Sequence, residues 1–181
     1  MQSVKAKLKL EYPTLKMAES VTLHNWYNPG VADPAAFISE VNNYVNQQDF
    51  VAVSFYPFLK GQHTAAEFQE AFDFLHAQVS RPIAFVETGH IAENLAVPAF
   101  QLSVSGDECE QKTYLESLMQ QAKMKDYEFI IWWTHRDYDE LWQIFPAETK
   151  DIGLLWKDTG LLAGEGKPRA GLLSWDYALS K

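Results

Sequence analysis

The chain has one cysteine, Cys109, which excludes an intramolecular disulfide and a paired-cysteine zinc site. That thiol lies in the acidic run Asp107-Glu-Cys-Glu110, which offers nothing to activate it, and a reducing compartment suits such usage. Basic residues are outnumbered: 15 Lys and Arg stand against 24 Asp and Glu, for a formal net charge of −9. The local exception is the short run Lys5-Ala-Lys-Leu-Lys9. Such a balance repels phosphate backbones and anionic lipid, so nucleic acid and membrane surfaces are excluded as expected partners. Long apolar runs are missing too. Nowhere do 18 apolar residues follow one another, and the N-terminal lysines precede no apolar signal core. Neither a membrane span nor an export signal is encoded in these residues, and a cytoplasmic location is expected if the chain is complete. No HxH or HExxH motif announces a metal.

What is present suits one globular domain over residues 1–181. The chain is 47% hydrophobic and 22% charged, enough to bury a sizeable core and too apolar for disorder. Val4 to Tyr12 alternates apolar with charged residues and reads either as an edge strand or as a helix end. From Leu15 a single unit repeats. Leu15 to Leu23 predicts a strand ending in His24-Asn-Trp-Tyr27, and Asp33-Pro34 opens a helix with the apolar stripe Phe37, Val41, Tyr44 and Val45. Phe50 to Tyr56 predicts the second strand. Its helix starts at Thr64 with Glu67 three residues on, a capping-box spacing, and buries Phe68, Phe72 and Leu75.

The third unit is Arg81-Pro-Ile-Ala-Phe-Val-Glu-Thr-Gly-His90, an apolar run typical of a strand buried on both faces. A long loop to Asp107 follows, functional or simply inserted, then a helix of about 16 residues through Lys125. The fourth strand is Glu128 to Trp133, followed by Thr134-His-Arg-Asp137 and a short helix through Trp142. The tail holds a glycine-rich turn from Gly160 to Gly166, Pro168 as a first-turn residue, and a terminal helix with Leu172, Leu173 and Trp175. Trp142, Trp156 and Trp175 are expected in the core.

Strands alternating with helices imply parallel pairing through right-handed crossovers, with functional groups gathered at the carboxyl ends of the strands. There the sequence places His24, Asn25, Trp26, Tyr56, Glu87, His90, Trp132, Trp133, His135 and Asp137. Glu87 is the focal residue, because a carboxylate ending a buried strand is costly unless it lies at the mouth of a site. Indoles offer flat faces to sugar rings, while Asn, His and Tyr hydrogen-bond hydroxyls, so a neutral polyol suits this set. Core packing is the competing role for Tyr56 and the indoles.

Asp49-Phe-Val-Ala-Val-Ser-Phe-Tyr-Pro-Phe58, Phe85-Val-Glu-Thr-Gly89, Ile131-Trp-Trp133 and the tail from Asp158-Thr-Gly-Leu161 to Trp175 resemble the last strands and C-terminal helix of retaining (β/α)8 glycoside hydrolases. The likeness runs from about Leu15 to the C-terminus and is nearest to arabinogalactan endo-β-1,4-galactanases. It implies an α/β fold of four βα units, half a TIM barrel with a C-terminal helix, acting on carbohydrate without a cofactor. Glu87 falls on the nucleophile, Tyr56 on the tyrosine that hydrogen-bonds it, and Trp132 or Trp133 on the aromatic floor of the sugar subsite. The family's acid/base glutamate belongs to the fourth barrel strand, and neither Glu11 nor Glu19 matches it. Retaining hydrolysis needs two carboxyl groups roughly 5–5.5 Å apart, and Glu87 supplies one.

A half-barrel exposes strand edges and its inner sheet face. A second copy, the missing N-terminal half-barrel of a longer or split enzyme, or the N-terminal segment of the chain itself is therefore expected to close it. A non-catalytic carbohydrate-binding or structural domain is the alternative function. A less favoured one is a metal-dependent hydrolase that gathers His24, Glu87, His90, His135 and Asp137.

Overall fold

The computed structural model describes residues 2–180. Four parallel strands form the main sheet in the order β1, β2, β3, β6: β1 (Ser20–Thr22), β2 (Val51–Phe55), β3 (Ile83–Thr88) and β6 (Ile130–Trp132). Val4 to Tyr12 resolves to helix α1 (Gln2–Glu11), so the alternation there is an exposed helix and not an edge strand. The first strand is much shorter than expected. Residues 23–27 fold into helix α2 (Leu23–Tyr27), which removes His24, Asn25 and Trp26 from an open loop.

The helices begin where the sequence signals them. Helix α3 (Pro34–Val45) has Asp33 accepting from the Ala36 amide with Pro34 at its first position. Helix α4 (Ala65–Gln78) has a complete capping box, with Thr64 Oγ1 accepting from the Glu67 amide and Glu67 Oε2 accepting from the Thr64 amide. The long connection after β3 is not structureless. It contains the antiparallel hairpin β4 (Leu95–Val97) and β5 (Leu102–Val104). Helix α5 (Glu108–Lys125) then starts on Asp107, whose side chain accepts from the Cys109 and Glu110 amides. After β6 come α6 (Asp139–Gln143), α7 (Ala147–Gly153) and α8 (Ala170–Leu179). Arg169 caps α8, so Pro168 stands outside the helix and not in its first turn.

One side of the sheet is sealed. Val53, Phe55, Ile83 and Phe85 pack with Phe68, Phe72, Leu75, Tyr114 and Leu118 of α4 and α5 in the main core. On the other side, Phe50 and Phe129 precede β2 and β6 and meet edge to face at 6.1 Å, although β3 lies between their strands. Contact between alternate strands requires a strongly curved sheet. Fully buried Ala84 lies on β3 between them, with a side chain small enough to allow it. At the amino ends of the strands the N-terminal segment is tied down. Lys5 and Lys9 pair with Asp49, the Met17 amide donates to Asp49, and Lys16 pairs with Glu128.

Strand β3 carries one extra residue against both neighbours. Val53 pairs with Phe85, but the next residue, Ser54, pairs with Glu87; against β6, Phe85 pairs with Ile130 and Thr88 with Trp132. Side chains alternate along a strand, so without this bulge Glu87 would follow Ile83 and Phe85 into the helix-side core. Thr88 takes that place, its hydroxyl donating to the Phe55 carbonyl and contacting the Tyr114 hydroxyl. Glu87 is thereby turned to the opposite face, beside Ser54.

Candidate active site

Glu87 is half-buried at the carboxyl end of β3, and the Tyr56 hydroxyl donates to its Oε1 at 2.5 Å. That length is typical of an O–H donor on a carboxylate, the stronger class of hydrogen bond. Burial, reinforced by the bond to Glu87 and by its charge, pushes the Tyr56 phenol well above its ordinary range. The upward shift favours the protonated phenol, the form that donates to Glu87. Tyr56 is held by Phe58 and Trp156, edge to face at 6.0 and 5.8 Å, within a second apolar cluster with Ile91, Leu95, Val97 and Val104. The β4–β5 hairpin is thus the wall behind the tyrosine.

The Tyr56 amide donates to His24 Nδ1 at 3.4 Å, which requires that nitrogen to be unprotonated. Burial, then the Lys60 charge, lowers His24 to about 4. Gly89 explains the glycine after Glu87-Thr88. A Cβ there would strike the Trp133 carbonyl oxygen and come within 3.3 Å of the Tyr56 ring. The ends of β3 and β6 approach this closely because the side chain is absent, and the Trp133 amide donates to the Thr88 carbonyl at 2.7 Å. The Trp133–Thr134 peptide is cis. Trp133 is 45% exposed on the same face as Ile131, which is also exposed.

The other expected site residues differ in how open they are. Trp26 is 1% exposed, and its indole donates to Asn42 Oδ1, so the core encloses the ring. Trp132 is buried and donates to the Thr159 carbonyl, which leaves Trp133 as the accessible member of the pair. His90 is fully buried among Phe58, Phe68 and Tyr114. Asn25 and His135 are exposed. Of the three tryptophans expected in the core, Trp142, Trp156 and Trp175 are each half-buried.

Asp137 has a structural occupation. Its Oδ1 accepts from the Gly160 amide at 2.7 Å and its Oδ2 pairs with buried Arg169, which also reaches Glu93. The set His24, Glu87, His90, His135 and Asp137 does not gather into one metal-binding group among the described residues. Two other groups do: His63 with His90 and Glu110, and Glu93 with Asp137 and Asp158. In the second, the guanidinium of Arg169 already supplies the positive charge.

The residues that sequence reasoning missed are mostly clamps. Gln111 is fully buried on α5, and its amide nitrogen reaches the carbonyls of His90, Thr159 and Gly160 at 3.1, 3.3 and 3.0 Å. It fastens the chain after β3 to the glycine-rich tail. A lone glutamine in a charged helix gives no sequence signal for this.

No family model and no curated protein sequence matches this chain. Solved structures do. An endo-laminarinase from Formosa superposes with a TM-score of 0.62 at 15% identity, over 98% of this chain and 51% of that one. A glycoside hydrolase family 17 β-1,3-glucanosyltransferase from Rhizomucor miehei gives 0.55 at 17% identity, over 91% of this chain and 52% of that one. A Bifidobacterium dentium β-glucuronidase gives 0.51 at 14% identity, over 75% of this chain and 21% of that one. The chain spans about half the length of the laminarinase and the transferase. Its fold is a glycoside hydrolase-like α/β fold, a partial (β/α) barrel.

Proposed function

We propose that this chain carries the nucleophile side of a retaining glycosidase site acting on a β-linked glycan. Glu87 is the nucleophile, Tyr56 its positioning partner and Trp133 the sugar platform. The observation that carries this reading is the bulge in β3. It turns a strand-end carboxylate away from the core and onto a tyrosine whose hydroxyl donates to it.

The four strands would take the fifth to eighth places of a barrel, and the proton donor would come from the fourth. A second copy of this chain, closing the sheet about a two-fold axis, would put its own β6 in that fourth place. The end of β6 carries Trp133-Thr134-His135, and Asp137 beyond it is committed to Arg169 and Gly160. Catalysis therefore points to a different half-barrel, bearing a carboxylic acid, as the closing partner. A homodimer fits the non-catalytic sugar-binding alternative.

The test needs no general acid. A 2-deoxy-2-fluoro β-glycoside with a dinitrophenolate leaving group expels that group unaided, so Glu87 Oε attacks the anomeric carbon, the phenolate departs, and the glycosyl ester accumulates. Intact-protein mass spectrometry should show one glycosyl adduct, mapped to Glu87 and absent from Glu87→Gln. Gluco and galacto versions decide between the laminarinase-like and galactanase-like substrates. Absence of any adduct, with β-glucan and galactan oligosaccharides still bound, would leave the binding-module reading. Absence of both adduct and binding would sink both.

A further inference from the structure

We propose that His63, His90 and Glu110 form a site for a divalent transition metal, zinc by its donor set. It would clip the chain segments after β2 and β3 to the first turn of α5. His63 lies just before α4, His90 just after β3, and Glu110 in the opening turn of α5, 47 residues from His63. The available donor atoms of the three side chains all lie within 4.8 Å of one another.

The imidazole of His90 is the reason to expect a cation. Each of its nitrogens faces a backbone carbonyl: Nδ1 lies 3.0 Å from the Ile91 oxygen and Nε2 lies 3.4 Å from the Gln62 oxygen. A neutral imidazole has one N–H, so in either tautomer one lone pair confronts a carbonyl oxygen. Full protonation would satisfy both nitrogens. It would also place a charge on a fully buried ring packed against Phe58, Phe68 and Tyr114, at a large desolvation cost.

A metal on Nε2 removes the conflict. Nδ1–H then donates to the Ile91 carbonyl, the way a ligating histidine usually orients itself by giving its other N–H to a carbonyl. Glu110 supplies the negative charge that a divalent ion needs in this setting. His63 stacks edge to face on His90 at 5.9 Å, and its Nδ1 is already 3.0 Å from Glu110 Oε2. On binding, His63 would carry its proton on Nε2 and turn Nδ1 to the metal. Two imidazoles and one carboxylate make a common zinc set, and the Gln62 carbonyl oxygen, 3.4 Å from His90 Nε2, stands where it would serve as the fourth donor. His63 and Glu110 are partly exposed, 27% and 29%, so the site has an entry path.

The test uses the full chain stripped with EDTA and then titrated with zinc chloride, with magnesium and calcium chlorides as controls. Calorimetry should find one zinc per chain. The melting temperature should rise by roughly 5–10 °C at a hundredfold excess over Kd. His63→Gln and Glu110→Gln, at half-buried positions that should tolerate change, should each weaken zinc binding at least tenfold. Three results would overturn the site: no stoichiometric zinc, binding undiminished in both variants, or nitrogen-15 NMR showing His90 doubly protonated in the metal-free protein.

Discussion

The two faces of the four-stranded sheet are built from different residue types. The helix side presents Val53, Phe55, Ile83 and Phe85 to aromatic rings of α4 and α5, all of them buried. The opposite side presents small and polar groups, Ala52, Ser54, Ala84 and Glu87, followed by the exposed Ile131 and Trp133. One face contributes the large buried side chains of the main core. The other contributes groups that burial does not explain, a tyrosine-held carboxylate and an open indole among them. Under the proposed assignment of Glu87, stability and chemistry fall on opposite sides of one sheet, and substitutions on the two sides should have effects of different kind.

The largest effect expected on the open side is chemical. Glu87→Gln should abolish covalent labelling by the fluoro-glycoside, by roughly 10³-fold or more, while the denaturant midpoint moves little. On the helix side, Phe85→Ala should cost about 3–5 kcal/mol of stability, read from urea unfolding, because it leaves a cavity beneath Phe72 and Tyr127. A comparable midpoint shift from Glu87→Gln would break the contrast.

His24 links the two faces and gives a pH test. It is held near 4 in the fold, against 6.5 unfolded, so the unfolded chain binds more protons between those values and stability falls as pH drops from 6.5 to 4. The loss should approach about 3 kcal/mol and be largely absent in His24→Gln, as judged by chemical denaturation at stepped pH. Thr64→Ala breaks the capping box of α4 and should cost about 1 kcal/mol in the same assay. Smallest in stability is Trp133→Ala, expected within about 0.5 kcal/mol of the parent. It should still reduce oligosaccharide affinity by roughly tenfold, measured by calorimetry.

The order of elements was legible because it rests on local chemistry. Asp33-Pro34, Thr64 with Glu67, and Asp107 open helices where side chains can cap them, and the apolar runs at 51–55 and 83–86 become strands. The Tyr56–Glu87 hydrogen bond corresponds to the pairing that the family resemblance suggested. What was illegible depends on contacts between distant segments. Whether Trp132 or Trp133 is buried turns on a single position in β6 and on the Thr159 carbonyl, 27 residues away. The burial of His24 and Trp26 is illegible because Leu23 to Tyr27 has no helix signal of its own; packing against Phe55, Phe74 and Asn42 folds it. The hairpin at 95–104 lacked the usual two-residue turn signature, since a 3₁₀ turn over Pro98–Phe100 joins its strands.

The bulge in β3 has a consequence for how this stretch tolerates change in length. Val86 is the residue that the neighbouring strand does not match, since Phe85 stands opposite Val53 and Glu87 opposite Ser54. Deleting it would leave Phe85, Glu87 and Thr88 opposite Val53, Ser54 and Phe55 in plain alternation, with the carboxylate still beside Ser54. Straightening the strand with Val86 retained would instead put Val86 beside Ser54 and turn Glu87 toward Tyr114. The nucleophile candidate is therefore specified by a count of residues as much as by its identity, and β3 should tolerate the loss of residue 86 better than a deletion at Ala84 or Phe85.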